Sequence, residues 1–492
     1  MDGSEYIDWA EAVEEPLSPL AKRSFDSANG SFIDGTDLLG HFQEKWKTDR
    51  GRASIENRTP HQLERDRVLY SPGLRKQAEK YHVLYNRERR IVRSYATHTM
   101  RCAQVTRAIA RGLDLNEDFA EAIALGSKVG ATPFVHAAKE PTDKWLQDTI
   151  EEIDNACANG NDTRSNGKLF EAAGGKQPPL WIQRLSSAST FEAVTTLMPW
   201  AAGEDTETAY SSGQQSYWSL CWNPLAIQPK AAQFQPETMF GIWRHSRKLR
   251  ANGTVFAHSI QPPQHEGTLE IDGSMHATFE ALVVQYADDI TWAIENLDDA
   301  HTAAMLNGRD ETLYDLLEQE MGIGDLPDVL GSALHEKHSG GLYTYFIREF
   351  ISHSGEMLKS LATEAKGPEA RKLLGECDER ADIGLPPTAE QALDRIIAFL
   401  NRVVFEEPRV SNRKDLLAEV SRQCLRLLYQ EGGETLGRIQ KERARLERWS
   451  LEAKDQAKEL LDRDVYRAQA AVTVFAGMAD QEIYDFVGIQ AL

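Results

Sequence analysis

Residues Thr97 to Glu140 read THTMRCAQVTRAIARGLDLNEDFAEAIALGSKVGATPFVHAAKE. Cys102, Val105, Ala108 and Ile109 recur at helical spacing, and Gly112 is a natural stop. Asn116 then caps a second helix whose first turn carries Glu117 and Asp118, the charge that the positive end of a helix dipole favours. This helix presents Phe119, Ala120 and Ile123 for burial and ends near Gly126 to Gly130. So short a connection predicts an antiparallel helical hairpin. His98 lies 14 residues before Gly112 and Lys128 lies 12 residues beyond Asn116. At about 1.5 Å per residue, both sit roughly 20 Å from the turn, so His98, Ser127 and Lys128 share one end of the hairpin.

Outward from this stretch the chain keeps a helical pattern from about residue 60 onward, with few runs of alternating β-branched residues. Its 492 residues are 41% hydrophobic and 27% charged, which supports a real core and excludes wholesale disorder. The net charge of −21 argues against a dedicated nucleic-acid binder, which needs an excess of Lys and Arg to displace phosphate counterions. One exception stands out: between Lys45 and Arg111 there are 17 Lys and Arg against six Asp and Glu. The five cysteines, at positions 102, 157, 221, 377 and 424, form no CxxC pair. That pattern fits a reducing compartment and offers neither a zinc nor a dithiol site. With no apolar run of 18 residues and no leader-like start, the expectation is a cytoplasmic chain without membrane association.

The organisation reads as three parts. Residues 1–44 form an acidic arm, 45–400 a helical core with Gly- and polar-rich insertions near 158–180 and 201–236, and 401–492 a C-terminal helical region packed on it. Short extended pieces are expected at 254–260 and 268–271. Ile439, Leu446, Ala453 and Leu460 fall at intervals of seven, which suits either a solvated surface helix or a narrow stripe against a partner.

The hairpin segment strongly resembles the HD-domain dGTPases, the deoxynucleoside triphosphate triphosphohydrolases. Further similar stretches follow in order: ERDRVLYSPGLRK (Glu64 to Lys76), ETMFGIWRHS (Glu237 to Ser246), YADDITWAIENLDDA (Tyr286 to Ala300), FEEPRV (Phe405 to Val410) and FAGMADQ (Phe475 to Gln481). The resemblance implies an all-α, mostly helical fold and commonly a hexameric homo-oligomer. It also implies hydrolysis of a deoxynucleoside triphosphate to nucleoside and tripolyphosphate. The divalent ion, Mn²⁺ or Mg²⁺, would be held by one histidine, a His-Asp pair and a later aspartate. Such a set lowers the pKa of a bound water and neutralises developing phosphate charge.

His98 matches the first ligand, and one of Asp288 and Asp289 the last. The His-Asp pair is replaced by Ser127 and Lys128. His136 matches the catalytic histidine, but Val135 stands for a glycine, Ala131 for a histidine and Lys139 for the usual glutamate. Tyr95 stands for a triphosphate-contacting arginine and Trp292 for a pocket tyrosine. These departures fall on the chemistry while the scaffold stretches remain. Two ligands beside an added cation do not hold Mn²⁺ or Mg²⁺ tightly, so no cofactor is expected. Lys128 either pairs with Asp288 or Asp289 in the role of the missing metal or snorkels to solvent. On the helix around Tyr286, the apolar face formed by Phe279, Leu282, Val283, Tyr286, Ile290, Ala293 and Leu297 puts Asp289 at its edge and Asp288 almost opposite. Arg65, Arg67 and Arg75, in the opening motif, suit a triphosphate or carboxylates such as Glu64 and Asp66 equally well.

Three functions remain open at this point. The first is a catalytically degenerate dGTPase-like pseudoenzyme that binds a deoxynucleotide, with a homo-oligomer or an active paralogue as its assembly partner. The second is an active triphosphohydrolase with a rebuilt site, using His136 as acid/base, Lys128 toward phosphate and Mn²⁺ or Mg²⁺ as cofactor. The third is a protein responsive to single-stranded nucleic acid through the basic island. Relatives recruited to deplete nucleotides during infection make a phage-defence role conceivable. No P-loop, GxSxG elbow, HExxH or GxGxxG competes.

Overall fold

The computed structural model describes residues 58–84, 93–158, 278–302, 339–364, 383–430 and 474–488, with Leu17, Ser18, Ala21, Ser216, Thr238, Gly241, Ile242, Ala468, Ala471 and Val472. Among these residues every regular element is a helix and no strand forms, in agreement with the all-α expectation. A single antiparallel bridge joins Tyr81 to Ser94. The extended pieces at 254–260 and 268–271 and the seven-spaced stretch at 438–462 lie outside the described residues, as do almost all of the two insertions. Of the acidic arm, Ser18 donates its amide to the Asp114 carbonyl across 2.7 Å, and Ala21 is buried.

Local chemistry sets the helix starts. Helix α1 (Pro60–Leu69) opens with a capping box: Thr59 Oγ1 accepts the Gln62 amide across 3.3 Å, while the Thr59 amide donates to Gln62 Oε1 across 3.1 Å. Helix α2 (Pro72–Lys76) follows, capped by Ser71. A Cβ on Gly73 would stand 2.4 Å from Val129 Cγ1, so glycine alone lets α2 approach the segment after the hairpin this closely.

The expected hairpin is present. Helix α3 (Tyr95–Gly112) starts at Ser94, whose Oγ accepts the Thr97 amide, and α4 (Glu117–Gly126) starts at Asn116, whose Oδ1 accepts the Phe119 amide across 3.1 Å. Glu117 is gripped across the turn by Arg111, at 2.7 Å, and by Arg107, at 3.2 Å. Helix α3 buries one stripe, including Cys102, Val105 and Ile109, whereas α4 is buried on all sides from Phe119 to Gly126. That contrast makes α4 the interior member of the pair.

Beyond the hairpin come α5 (His136–Ala158), α6 (Phe279–Thr302), α7 (Ser339–Glu364) and α8 (Pro387–Phe399). Helix α8 runs on as a π-helical turn over Leu400–Phe405, and α9 (Pro408–Gln430) and α10 (Asp480–Val487) complete the order. Helix α6 is the axis of the core. It packs against α3, α4, α7 and α8, so Tyr286, Ile290 and Ile294 meet Ile109, Phe346, Phe350 and Ile396 in one cluster. The Tyr286 and Phe350 rings cross edge to face at 5.1 Å. Because neighbours surround α6, its polar residues must find partners inside the protein, and this condition builds the site.

Candidate functional site

The free end of the hairpin, the middle of α6 and the start of α5 converge. His98, buried on the first turns of α3, places Nε2 3.2 Å from Asp288 Oδ1 and Nδ1 2.8 Å from Glu295 Oε2. Lys128, just past α4 and 4% exposed, donates to the other carboxylate oxygen of Asp288. Of the two adjacent aspartates, Asp288 is thus the one that bridges Lys128 and His98. Periodicity pointed to Asp289 because it assumed a single apolar face. Helix α6 is packed on several sides, and the face opposite the main stripe is the one turned toward the hairpin end.

Lys128 therefore pairs with Asp288 rather than snorkelling to solvent. Burial alone would lower the Lys128 pKa, but the Asp288 carboxylate outweighs it and holds the ammonium charged well above its ordinary range. Conversely, burial would raise Asp288, while Lys128 and the His98 hydrogen bond hold it well below the usual carboxylate range. His98 is likewise raised: burial opposes its charge, but hydrogen bonds to Asp288 and Glu295 favour the imidazolium, which donates from both ring nitrogens. Tyr95, expected among nucleotide contacts, is buried beside His98 with ring centroids 5.4 Å apart, and burial pushes its hydroxyl up to about 12.

His136, the first residue of α5, is exposed. Trp292 Nε1 donates to its Nε2 across 3.2 Å, so the neutral ring carries its proton on Nδ1. Phe405, in the π-helical turn, packs on Trp292 with centroids 5.6 Å apart. Desolvation by the neighbouring protein, together with charges on His98 and Lys139, lowers the His136 pKa from its ordinary value. The two residues before it are held at positive φ, Phe134 at 56° and Val135 at 35°. Such angles are costly for a β-branched side chain, and glycine is the residue that the resemblance places at 135. Asp480 braces this turn from α10, accepting the Phe134 amide across 2.7 Å and the Tyr81 amide across 2.8 Å. Lys80 adds a second brace, donating to the carbonyls of Ala131 and Ala476.

Three residues of the cluster escaped sequence reasoning. Glu295 lies two helical turns beyond Asp288 and so shares its face, a spacing signal that could have found it. Arg93 pairs with Glu295 and reaches Asp299 at 3.1 Å. His82 stacks on His98, centroids 4.1 Å apart and planes at 18°, and no spacing pattern marks it.

The donor set does not suit the divalent ion that the resemblance implies. Both nitrogens of His98 point at carboxylates as donors, Ser127 Oγ turns back to the Ala124 carbonyl at 3.0 Å, and Asp288 is engaged by an ammonium. His82, His98 and Glu295 do bring one potential ligand atom each within 4.8 Å of the others. The two imidazoles are stacked nearly parallel, however, so their in-plane lone pairs run side by side instead of converging on one ion.

The arginines of the opening motif lie elsewhere. Arg65 pairs with Asp118 and Asp66 at the turn end of the hairpin, about 15 Å of helix from Lys128, while Arg75 is exposed and Arg67 half-buried. Much of the basic island is neutralised within the fold: Arg58 pairs with Asp66, Arg93 and Arg101 with Glu295, and Arg107 and Arg111 with Glu117.

No family model matches the chain. Curated relatives do, each called a deoxyguanosinetriphosphate triphosphohydrolase-like protein. The one from Caldanaerobacter subterraneus subsp. tengcongensis is 42% identical over 114 residues, covering 22% of this chain and 34% of the relative. That from Azoarcus sp. is 42% identical over 103 residues, or 20% and 27% of the two chains. That from Syntrophus aciditrophicus is 36% identical over 142 residues, or 29% and 31%. The chain thus matches about a third of the length of these relatives, much less than the ordered motifs suggest, and the similarity supports a relationship to dGTPase-like proteins. Among the described residues no helix is long and apolar enough to cross a membrane.

Proposed function

We propose that this chain is an HD-domain dGTPase-like protein that has exchanged metal-dependent hydrolysis for a nucleotide-binding, regulatory role, as a pseudoenzyme subunit of a homo-oligomer or of a mixed oligomer with an active paralogue. The observation that carries this reading is the Lys128 ammonium on Asp288. It places a fixed cation in the donor set where a hydrolase needs a carboxylate ligand, and a divalent ion there would face it across a few ångströms of low-dielectric interior. The Trp292 hydrogen bond to His136 points the same way. It occupies the lone pair that a general base would use, on a ring already biased against protonation.

The rebuilt-enzyme reading needs His136 as acid/base and makes a distinct prediction. Release of tripolyphosphate or phosphate is assayed with each of the four deoxynucleoside triphosphates in Mn²⁺, Mg²⁺ and Co²⁺. The regulatory reading expects no turnover above a heat-denatured control, together with saturable binding of at least one of the four. Clear turnover that His136→Ala abolishes would replace it with the hydrolase reading. The single-strand reading has less support, because the arginines it would draw on are engaged by Asp66, Asp118, Glu117 and Glu295. Steeply salt-dependent binding to single-stranded DNA would restore it.

A further inference from the structure

Asp480 and Lys80 are ionisable groups, 2% and 1% exposed, that are spent on backbone. At the start of α10, the two oxygens of Asp480 accept one amide each, Oδ1 that of Phe134 and Oδ2 that of Tyr81. Lys80 donates to the carbonyl of Ala131, in the turn before α5, and to that of Ala476, just ahead of α10. The Phe134 ring also meets Tyr484 of α10, with centroids 5.3 Å apart. The C-terminal segment 476–484 thus grips the 131–135 turn through an amide, a ring and a shared lysine. What it grips is the strained part, since Phe134 and Val135 are the residues at positive φ, and a backbone in that state persists only where its surroundings hold it. The Phe134 carbonyl accepts the Ala137 amide across 2.9 Å, so a shift of Phe134 passes into the first turn of α5 and to His136. His136 in turn accepts the Trp292 indole. A continuous line of contacts therefore runs from α10 to the histidine.

We propose that Asp480 and Lys80 are positioning residues for His136: α10, docked by these two groups, holds the 131–135 turn in its strained form, and release of α10 lets the turn relax and carries His136 off Trp292. Coupling over such a distance needs an element with two discrete arrangements, and a turn that is strained when gripped and relaxed when free is one. The coupling holds whether the protein binds a nucleotide or hydrolyses it, because it concerns where the ring stands. A merely structural contact would stabilise the fold without singling out His136. The outer side of α10 supplies a control, since Gln481 and Asp485 hydrogen-bond there across 3.0 Å.

The test uses the full-length chain and two measurements. In the first, the indole N–H of Trp292 is followed by NMR of tryptophan-labelled protein and assigned with Trp292→Phe. Asp480→Ala loses both amide contacts and should move this proton to higher field, as its hydrogen bond to His136 is lost. Lys80→Met should move it in the same direction. Asp480→Asn keeps one acceptor oxygen and sets its NH₂ against the other amide, so it should move the signal part of the way. Asp485→Ala, which weakens α10 without touching the turn, should leave it in place. A wild-type signal in folded Asp480→Ala and Lys80→Met proteins overturns the proposal, as does an equal displacement by Asp485→Ala. In the second measurement, amide hydrogen exchange is read on wild type alone. If turn and helix are released together, Tyr81 and Phe134 should share the protection of Ile483, whose amide bonds the Ala479 carbonyl within α10, to within about tenfold. A larger difference would mean that the turn opens without α10 and overturns the coupling, and this measurement decides even where the variants do not fold.

Discussion

Trp292 Nε1 lies 3.2 Å from His136 Nε2 and donates to it, so the ring that matches a catalytic histidine is capped on the nitrogen facing the indole. A hydrogen bond to the lone pair favours the neutral ring. Trp292→Phe removes this donor while keeping an aromatic ring against Phe405. The His136 pKa is then expected to rise. Histidine NMR titration of the two proteins reads it directly, and an unmoved titration would show that the contact has no hold on the ring.

The Lys128–Asp288 pair makes a stability prediction of its own. Removing one partner of a buried ion pair strands the other, a loss of about 3 kcal/mol at the lower end of the usual range. Lys128→Met and Asp288→Asn should each destabilise by about that amount, and the double variant should recover much of it because no charge remains unpaired. Additive losses in urea denaturation would mean that the two groups are not coupled in the folded protein.

Val135 reverses an ordinary ranking. Its φ of 35° is strained for a β-branched residue, by a cost on the order of 1–2 kcal/mol. Both Val135→Ala and Val135→Gly give up the buried methyls, but only glycine relieves the backbone. Glycine should therefore be the more stable of the two, by about 1 kcal/mol, opposite to the usual advantage of alanine. Thermal denaturation of both variants decides it, and a more stable alanine variant would remove strain from the account of this turn.

Asp299 carries a pH signature. Burial raises its carboxyl from the ordinary 3.8 to about 6, with the Arg93 guanidinium only partly opposing this. The folded state thus binds this proton more tightly than the unfolded chain does. The stability it contributes is complete below about pH 4 and is lost as pH rises through about 6. Compared with wild type, Asp299→Asn should show a flatter fall in unfolding free energy across that window. Parallel curves for the two proteins would mean that Asp299 titrates normally.

What was legible in the sequence was local. Asn116 sits where a cap belongs, and it accepts the Phe119 amide as a cap should. The hairpin between Tyr95 and Gly126 follows from that cap, the apolar spacing and a short turn, all properties of neighbouring residues. From this the sharing of one end by His98 and Lys128 also followed, because helical rise is fixed. The replacement of a His-Asp pair by Ser127 and Lys128 was visible as plain text. What Lys128 does was not, since a lysine at a helix end snorkels or pairs according to what stands opposite.

Only the tertiary structure decided that. Asp288 lies 160 residues from Lys128 along the chain and Glu295 lies 197 from His98, and no periodicity reports such distances. The choice of Asp288 over Asp289 turned on α6 being packed on more than one side, so the face opposite its main apolar stripe is also interior. His82 entered the cluster through a stack on His98, and Arg93 through its pairing with Glu295 and Asp299. By itself the sequence determined which helices form and which chemical groups their ends carry, because capping and periodicity act over one or two turns. Which carboxylate answers which cation was decided by packing, because a buried charge must be met by whatever the fold brings beside it.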